Sequence, residues 1–180
     1  MDSNPLILIL RAIGELFVFI LLLRLVLQAV KADYYNPISQ GVVKFTQPIL
    51  APFQKVLPKI ANIDISPLIV GIIVKAIIIF AIYALAGHAL PILNVGIYAL
   101  IGALNTFLDI IFYAVLGSVI ISWIAPDSPH PAPQIIMQVT APLYKLIQKV
   151  LPPIGGFDLS PIAIFIAIQL IQSQLRPFLI

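Results

Sequence analysis

Four long apolar stretches divide this chain and restrict it to folds that lipid can surround. They cover residues 6–30, 67–86, 100–124 and 161–180. A helix needs about 20 mostly apolar residues to cross the hydrocarbon core of a bilayer. Hydrophobic residues make up 61% of the sequence and charged residues 9%, whereas a soluble domain carries about 25% charged residues. The sequence therefore predicts an all-α membrane protein with four transmembrane helices.

One pattern occurs twice in the chain, at an offset of 94 residues. Thr46–Pro67 has the sequence TQPILAPFQKVLPKIANIDISP and Thr140–Pro161 has TAPLYKLIQKVLPPIGGFDLSP, with 11 of 22 positions identical. At the same offset, the first apolar stretch aligns with the third, and the second aligns with the fourth. The pattern predicts two helix–loop–helix repeats, residues 1–90 and 91–180. Because each repeat holds an even number of spans, the two are expected to be parallel in the membrane.

The connections between the stretches differ in charge. The two long connections, Lys31–Ser66 and Ala125–Ser160, contain six lysines, and the short connection, residues 87–99, contains no Lys or Arg. By the positive-inside rule, both long connections are expected in the cytoplasm and both termini outside. The first residues carry no positively charged segment and no cleavage site follows the apolar run, so a cleaved signal peptide is not expected.

Each long connection contains an amphipathic segment that a proline ends. In the second repeat we predict a short helix over residues 141–151, capped by Thr140 and with Pro142 in its first turn. The first repeat has a similar segment over residues 38–58. Such helices are too short to cross the membrane and are expected to lie at its cytoplasmic interface with water. The alternative is that they dock on the transmembrane helices. At the interface, their lysines would face anionic headgroups; these are Lys55, Lys145 and Lys149.

A four-residue motif precedes the second and the fourth stretch. It consists of an aspartate, a hydrophobic residue, a serine and a proline: Asp64, Ser66 and Pro67 in the first repeat, Asp158, Ser160 and Pro161 in the second. Serine is a good N-cap, proline suits the first helical position, and an acidic group is favourable near a helix start. The simpler interpretation is a helix start signal. The alternative is a cation or headgroup site formed by the two pseudo-symmetric aspartates.

Ionisable residues also occur inside the apolar stretches: Arg11, Glu15, Arg24, Lys75, Asp109 and Arg176. An unpaired charge in mid-membrane costs about 2.5–3.5 kcal/mol, so Glu15, Lys75 and Asp109 are expected to face the bundle and to pair. Arg11 is four residues from Glu15 and can pair with it, which leaves Lys75 for Asp109 or as a bridge between the two carboxylates. Arg24 and Arg176 are expected to extend toward an interface.

The predicted intramembrane polar network therefore contains Arg11, Glu15, Lys75, Asn105 and Asp109. A weaker polar stripe on the fourth stretch contains Gln169, Gln172 and Arg176. One hypothesis is that the network is a structural lock that holds the helices in register. The other is an ion or proton pathway, the usual interpretation of intramembrane charges.

No pattern in the sequence points to a cofactor, a metal or a catalytic group. The chain has no cysteine, and it shows no nucleophile–base pair, metal cluster or carboxylate pair. His88 and His130 are expected on opposite sides of the membrane, with Met137 on the cytoplasmic side, so no bound haem is expected. The absence of a basic tract or a phosphate-binding glycine motif argues against a nucleic-acid partner.

The repeated motifs resemble those of the YggT family of bacterial and plastid membrane proteins. The resemblance covers essentially the whole chain and includes Asp33-Tyr34-Tyr35-Asn36-Pro37, Trp123, and the two aspartate–serine–proline motifs. It implies an inner-membrane or plastid-membrane protein, with members linked to osmotic tolerance and ion homeostasis, cell division or nucleoid organisation, and plastid cytochrome maturation. It supplies no catalytic residues.

Two functions follow as hypotheses. The first is a non-enzymatic factor in a bacterial inner membrane that supports membrane-protein assembly or envelope and osmotic homeostasis. It would act through cytoplasmic-face contacts with lipid, with other membrane proteins or with further copies of itself. The second is a small oligomeric ion channel or transporter that serves osmotic adaptation. The two differ in whether the intramembrane charges neutralise one another in a dry core or line a wet cavity.

Overall fold

The structure, a computed structural model, describes residues 4–153 and 158–179, and helices account for about three-quarters of them. The six α-helices of this part are α1 (Pro5–Ala29), α2 (Pro37–Gln54), α3 (Ser66–Leu85), α4 (Ile92–Ile124), α5 (Pro131–Gln148) and α6 (Ser160–Leu175). A two-stranded antiparallel hairpin, β1 (Lys59–Ile60) and β2 (Ile63–Asp64), joins α2 to α3. A 3₁₀ turn, Arg176–Phe178, follows α6.

Three helices, α1, α3 and α4, are long and apolar enough to cross a membrane. The bounds of α1 and α3 differ by one residue from the predicted stretches, whereas α4 begins at Ile92 rather than near residue 100. Pro91 is its N-cap, and no proline follows it until the helix has ended. Helix α6 has 16 residues and is shorter than these three; the last residue of the predicted fourth stretch, Ile180, lies outside the described part.

Helix α4 occupies the centre of the bundle and packs against α1, α3, α5 and α6. Helix α1 packs most extensively on α3. Gly14 permits this approach, since a Cβ there would lie 2.2 Å from Ile78 Cδ1 and 2.8 Å from Ile78 Cγ1. Val18, Leu22 and Ile78 are buried in the main hydrophobic cluster between these helices. The closest helix packing thus lies beside the positions of the intramembrane charges.

Helix α5 is longer than the predicted helix over residues 141–151, whereas α2 begins at Pro37 and ends at Gln54, before the end of the predicted segment 38–58. Helix α5 begins at Pro131, with the His130 side chain accepting a hydrogen bond from Ala132 N–H at 3.4 Å. The prediction that Thr140 caps this helix is wrong. Thr140 lies inside it and donates its hydroxyl to the Ile136 carbonyl at 3.0 Å. Pro142 has no N–H to donate to the carbonyl four residues earlier. At the surface of the helix that carbonyl can find another partner, so the helix tolerates the proline.

Two hydrogen bonds connect the first long connection to the second. Asn36 Nδ2 donates to the Pro131 carbonyl at 2.9 Å, and Asp33 N–H donates to Gln138 Oε1 at 2.8 Å. Asn36 also caps α2, since its Oδ1 accepts from Ile38 N–H at 2.9 Å. These bonds hold the start of α2 against the start of α5, so the two amphipathic helices belong to one surface.

Candidate functional site

A cavity of about 390 Å³ lies among α1, α3 and α4. All members of the predicted polar network line it, together with Tyr98, Thr106 and several isoleucines; those members are Arg11, Glu15, Lys75, Asn105 and Asp109. These residues were predicted to lie together because charges inside apolar stretches must find partners. In the structure they share one space, and Lys75 pairs with Glu15, which is one half of the predicted bridge between the two carboxylates.

Lys75 forms an ion pair with Glu15, and Lys75 Nζ donates a hydrogen bond to Glu15 Oε1. The lysine side chain is 9% exposed and the glutamate side chain 40% exposed. Gly102 of α4 leaves room for the lysine, since a Cβ there would lie 3.0 Å from Lys75 Cε. The pair therefore joins α1 to α3 at the wall of the cavity, with the lysine the more deeply buried partner.

Asp109 accepts hydrogen bonds from two amide side chains. Asn105 Nδ2 donates to Asp109 Oδ2 at 3.0 Å, and Gln172 Nε2 donates to Asp109 Oδ1 at 2.7 Å. Gln172 also lies 3.3 Å from Asn105 Oδ1. Gln172 was not among the predicted site residues, although the weak polar stripe on the fourth apolar stretch had marked its position. The cluster connects α4 to α6 by hydrogen bonds.

The aspartate–serine–proline motif forms the same structure in both repeats. Asp64 Oδ1 accepts from Ser66 N–H at 2.9 Å and Asp64 Oδ2 accepts from Gln54 Nε2 at 2.6 Å. Asp158 makes the equivalent bonds with Ser160 N–H and Gln148 Nε2, both at 2.9 Å. Ser66 and Ser160 were expected to be N-caps, which is wrong. Each is the first residue of its helix, and the aspartate satisfies its N–H.

Both aspartates are held in the charged form. Burial alone would raise the pKa of Asp64, but the hydrogen bonds from Ser66 and Gln54 and the nearby Arg24 guanidinium outweigh it, so its pKa lies below the usual value. The pKa of Asp158 is also lowered, because its hydrogen bonds with Ser160 and Gln148 outweigh a desolvation effect of the opposite sign. A negative charge at a helix start is also favoured by the helix dipole. Each carboxylate ties the end of an amphipathic helix to the start of the next helix.

Arg24 was expected to extend toward the interface, and in the structure it contacts α2. Its Nη1 donates to Thr46 Oγ1 at 2.8 Å and to the Val43 carbonyl at 3.4 Å. Its Nη2 donates to Gln47 Oε1 at 2.8 Å. Arg24 thus fixes the first amphipathic helix on α1.

Exposed lysines and exposed apolar side chains alternate near the ends of α2 and α5. Val56 and Val150 are equivalent positions, and each is 83% exposed. Lys55 and Lys149 are the C-caps of the two helices, and Lys145 lies in the last turn of α5. All three lysines are exposed. This combination of charge and apolar surface is typical of a helix at a membrane interface.

The family model described as CCB3/YggT matches the chain twice, over residues 3–85 and 97–179. Among curated proteins, an uncharacterised protein of Pseudomonas aeruginosa is 40% identical over 166 residues, which are 91% of this chain and 84% of the relative. The uncharacterised protein YggT of Escherichia coli K12 is 36% identical over 172 residues, 94% of this chain and 88% of the relative. No solved structure matches the chain. With both of its halves matched by the same model, the chain belongs to the CCB3/YggT family.

Proposed function

We propose that α6 is a fourth span and that the two repeats are parallel in a bacterial inner membrane, with both long connections in the cytoplasm. The 16 residues of α6 extend about 24 Å, and the 3₁₀ turn after it adds about 6 Å. Together they match the roughly 30 Å of a bilayer core. The six lysines of the long connections support the orientation.

Cysteine labelling tests this topology, because the chain has no cysteine of its own. We expect His88→Cys and Pro177→Cys to react with a membrane-impermeant maleimide added outside the inner membrane. Val56→Cys and Val150→Cys should react only after that membrane has been opened. Labelling of Pro177→Cys from the cytoplasmic side alone would refute the fourth span, and the reverse pattern at all four positions would refute the orientation.

We propose that the protein is a non-enzymatic membrane factor that supports membrane-protein assembly or envelope and osmotic homeostasis. The single observation that carries this proposal is the joined surface of α2 and α5. Both helices present exposed apolar residues beside exposed lysines, and the hydrogen bonds of Asn36 and Gln138 hold them together. Such a surface is suited to anionic lipid headgroups and to an apolar partner surface at the same time.

The test is to place a charge in this surface without disturbing the core. Val56→Asp combined with Val150→Asp should abolish rescue of a host that lacks its own family member, measured as survival of an osmotic downshift and as abundance of inner-membrane proteins. Because both side chains are 83% exposed, the folded stability should change by less than about 0.5 kcal/mol. The matched control, Val56→Thr with Val150→Thr, keeps the shape without the charge and should still rescue. Full rescue by the aspartate variant would refute the proposal.

The cavity among α1, α3 and α4 favours a second candidate, a small ion channel or transporter. Intramembrane charges that line a space rather than a packed core suit an ion or proton pathway, and Glu15 has 40% of its side chain exposed there. Flux of potassium or protons into liposomes that contain the purified protein would support this candidate. The absence of flux under either gradient would leave the membrane factor as the better proposal.

A further inference from the structure

We propose that the cavity between α1 and α2 binds a phosphate group, in its natural setting that of an anionic phospholipid headgroup. The cavity has a volume of about 330 Å³ and is lined on the α1 side by Arg24, Leu27, Gln28 and Lys31. The spacing of three and four residues places Arg24, Leu27 and Gln28 on one face of α1, and Lys31 follows just after the end of that helix. Ser39, Val42 and Val43 line the opposite wall. The inference deepens the proposed headgroup contacts and rests on α1 crossing the membrane.

The charge of this cavity is entirely positive among the described residues that line it. Arg24 and Lys31 are cations, and none of the other lining residues is acidic. Arg24 has five N–H donors, and its bonds with Thr46, Val43 and Gln47 use at most three of them. Asp64 lies in a separate cavity on the other side of Arg24. Donors therefore remain for an anion, which two cations would attract.

Ser39 supplies a second, independent sign of a ligand. Its side chain lines the cavity, the residue is 5% exposed, and its hydroxyl has no hydrogen-bond partner in the described structure. A buried polar group without a partner is costly. A phosphate oxygen would satisfy this hydroxyl, and it would also lie near the first turn of α2, where the helix dipole favours negative charge.

The backbone at Lys31 indicates that a cation is maintained here at a conformational cost. Lys31 has φ 55°, and Ala32 N–H bonds to the Leu27 carbonyl at 2.8 Å while Lys31 N–H bonds to the Gln28 carbonyl at 3.1 Å. These two bonds form a Schellman motif, whose left-handed position normally holds glycine. Helix α3 ends in the same motif with Gly87, at φ 71°. A lysine at this position is strained, and its charge offsets that cost if an anion binds in the cavity.

The second repeat lacks this site. The position equivalent to Arg24 is Ser118, whose hydroxyl is hydrogen-bonded to the Tyr144 hydroxyl. The position equivalent to Lys31 is Ala125, with φ −153° and ψ 64°. The two cations of the cavity therefore have no equivalents at these positions of the second repeat. This asymmetry distinguishes it from the general basic character of both amphipathic helices.

Lys31→Gly is a sharp test, because glycine relieves the strained backbone while removing the charge. Delipidated protein in neutral detergent would be titrated with short-chain phosphatidylglycerol and, separately, with phosphatidylcholine and inorganic phosphate, with binding followed by the shift in melting temperature. We expect saturable stabilisation by phosphatidylglycerol and not by phosphatidylcholine. In Lys31→Gly the apparent affinity should fall about tenfold, the loss of one charge-assisted contact, while the unliganded melting temperature equals or exceeds that of the wild type.

The control is Lys55→Ala, which makes the same change in net charge outside the cavity and should bind like the wild type. If phosphatidylglycerol binding depends on Lys55 and not on Lys31, the cavity site is refuted while the proposed interfacial contacts stand. Equal stabilisation by both lipids would also refute the site. An equal, Lys31-dependent response to inorganic phosphate would support the phosphate site and assign it to a soluble anion instead of a lipid.

Discussion

Glu15→Leu should lower the free energy of unfolding by about 3–5 kcal/mol, the cost of leaving one partner of a buried ion pair without the other. Lys75 is only 9% exposed in its side chain and donates to Glu15. Without that carboxylate, the ammonium group would remain beside Gly102, largely buried and without its ion-pair partner. The measurement is thermal and denaturant unfolding of the purified protein in detergent.

The reciprocal change and the double variant make this test specific. Lys75→Met should cost less than Glu15→Leu, because the Glu15 side chain is 40% exposed and retains contact with the cavity. The double variant Glu15→Leu/Lys75→Met should recover most of the lost stability, since replacing both members of a buried pair with apolar groups is often close to neutral. A Glu15→Leu protein as stable as the wild type would show that the ion pair is not what holds α1 to α3.

Asp109→Asn should lower the free energy of unfolding by about 1.5–3 kcal/mol, the range for hydrogen bonds to a charged group. Asp109 accepts from Asn105 at 3.0 Å and from Gln172 at 2.7 Å. An asparagine would place an N–H₂ group against one of these donors, so either the bond from Asn105 within α4 or the bond from Gln172 of α6 would be lost. Unfolding in detergent measures the loss, and Tyr113→Phe, which removes an exposed hydroxyl four residues further along α4, should be neutral.

The same Asp109 variant separates the two functional candidates when ion flux is measured in liposomes. Under the membrane-factor proposal, neither the wild type nor Asp109→Asn should conduct potassium or protons. Wild-type flux that is absent from a correctly folded Asp109→Asn protein would instead place Asp109 on an ion pathway. An Asp109→Asn protein with unchanged stability and unchanged flux would contradict both the structural lock and the pathway.

The helices that face lipid could be predicted well from sequence, because their signal is length and hydropathy. The bounds of α1 and α3 agree with the predicted stretches to one residue. The amphipathic helices were harder, since their prolines resemble start signals. Pro142 and Pro48 lie inside helices in the structure. The hairpin at Ala61 and Asn62, where φ is 51° and 65°, had only the turn preference of asparagine as its signal.

The residues that line the polar cavity could also be predicted from the sequence, but the partner of each charged side chain could not. Because they are charges in apolar stretches, Glu15, Lys75 and Asp109 must find partners. The sequence does not indicate which residue pairs with which. That choice depends on how α3 is rotated against α1 and α4, and close packing at Gly14 and Gly102 determines it. The sequence left Lys75 either for Asp109 or as a bridge between the two carboxylates, and in the structure Lys75 pairs with Glu15 of another helix.

The division of the polar contacts between the two halves has a consequence for biosynthesis. The Glu15–Lys75 pair and the Gln54–Asp64 bond lie wholly in the first half, while the Asp109–Gln172 and Gln148–Asp158 bonds lie wholly in the second. The first half can therefore neutralise its intramembrane carboxylate and lysine while the ribosome is still making the rest. Neither of these two charges has to remain unpaired in lipid until α4 or α6 has been inserted. The contacts between the halves, namely the packing of α4 on α1 and α3 and the hydrogen bonds between the two long connections, can form only after the second half has been made.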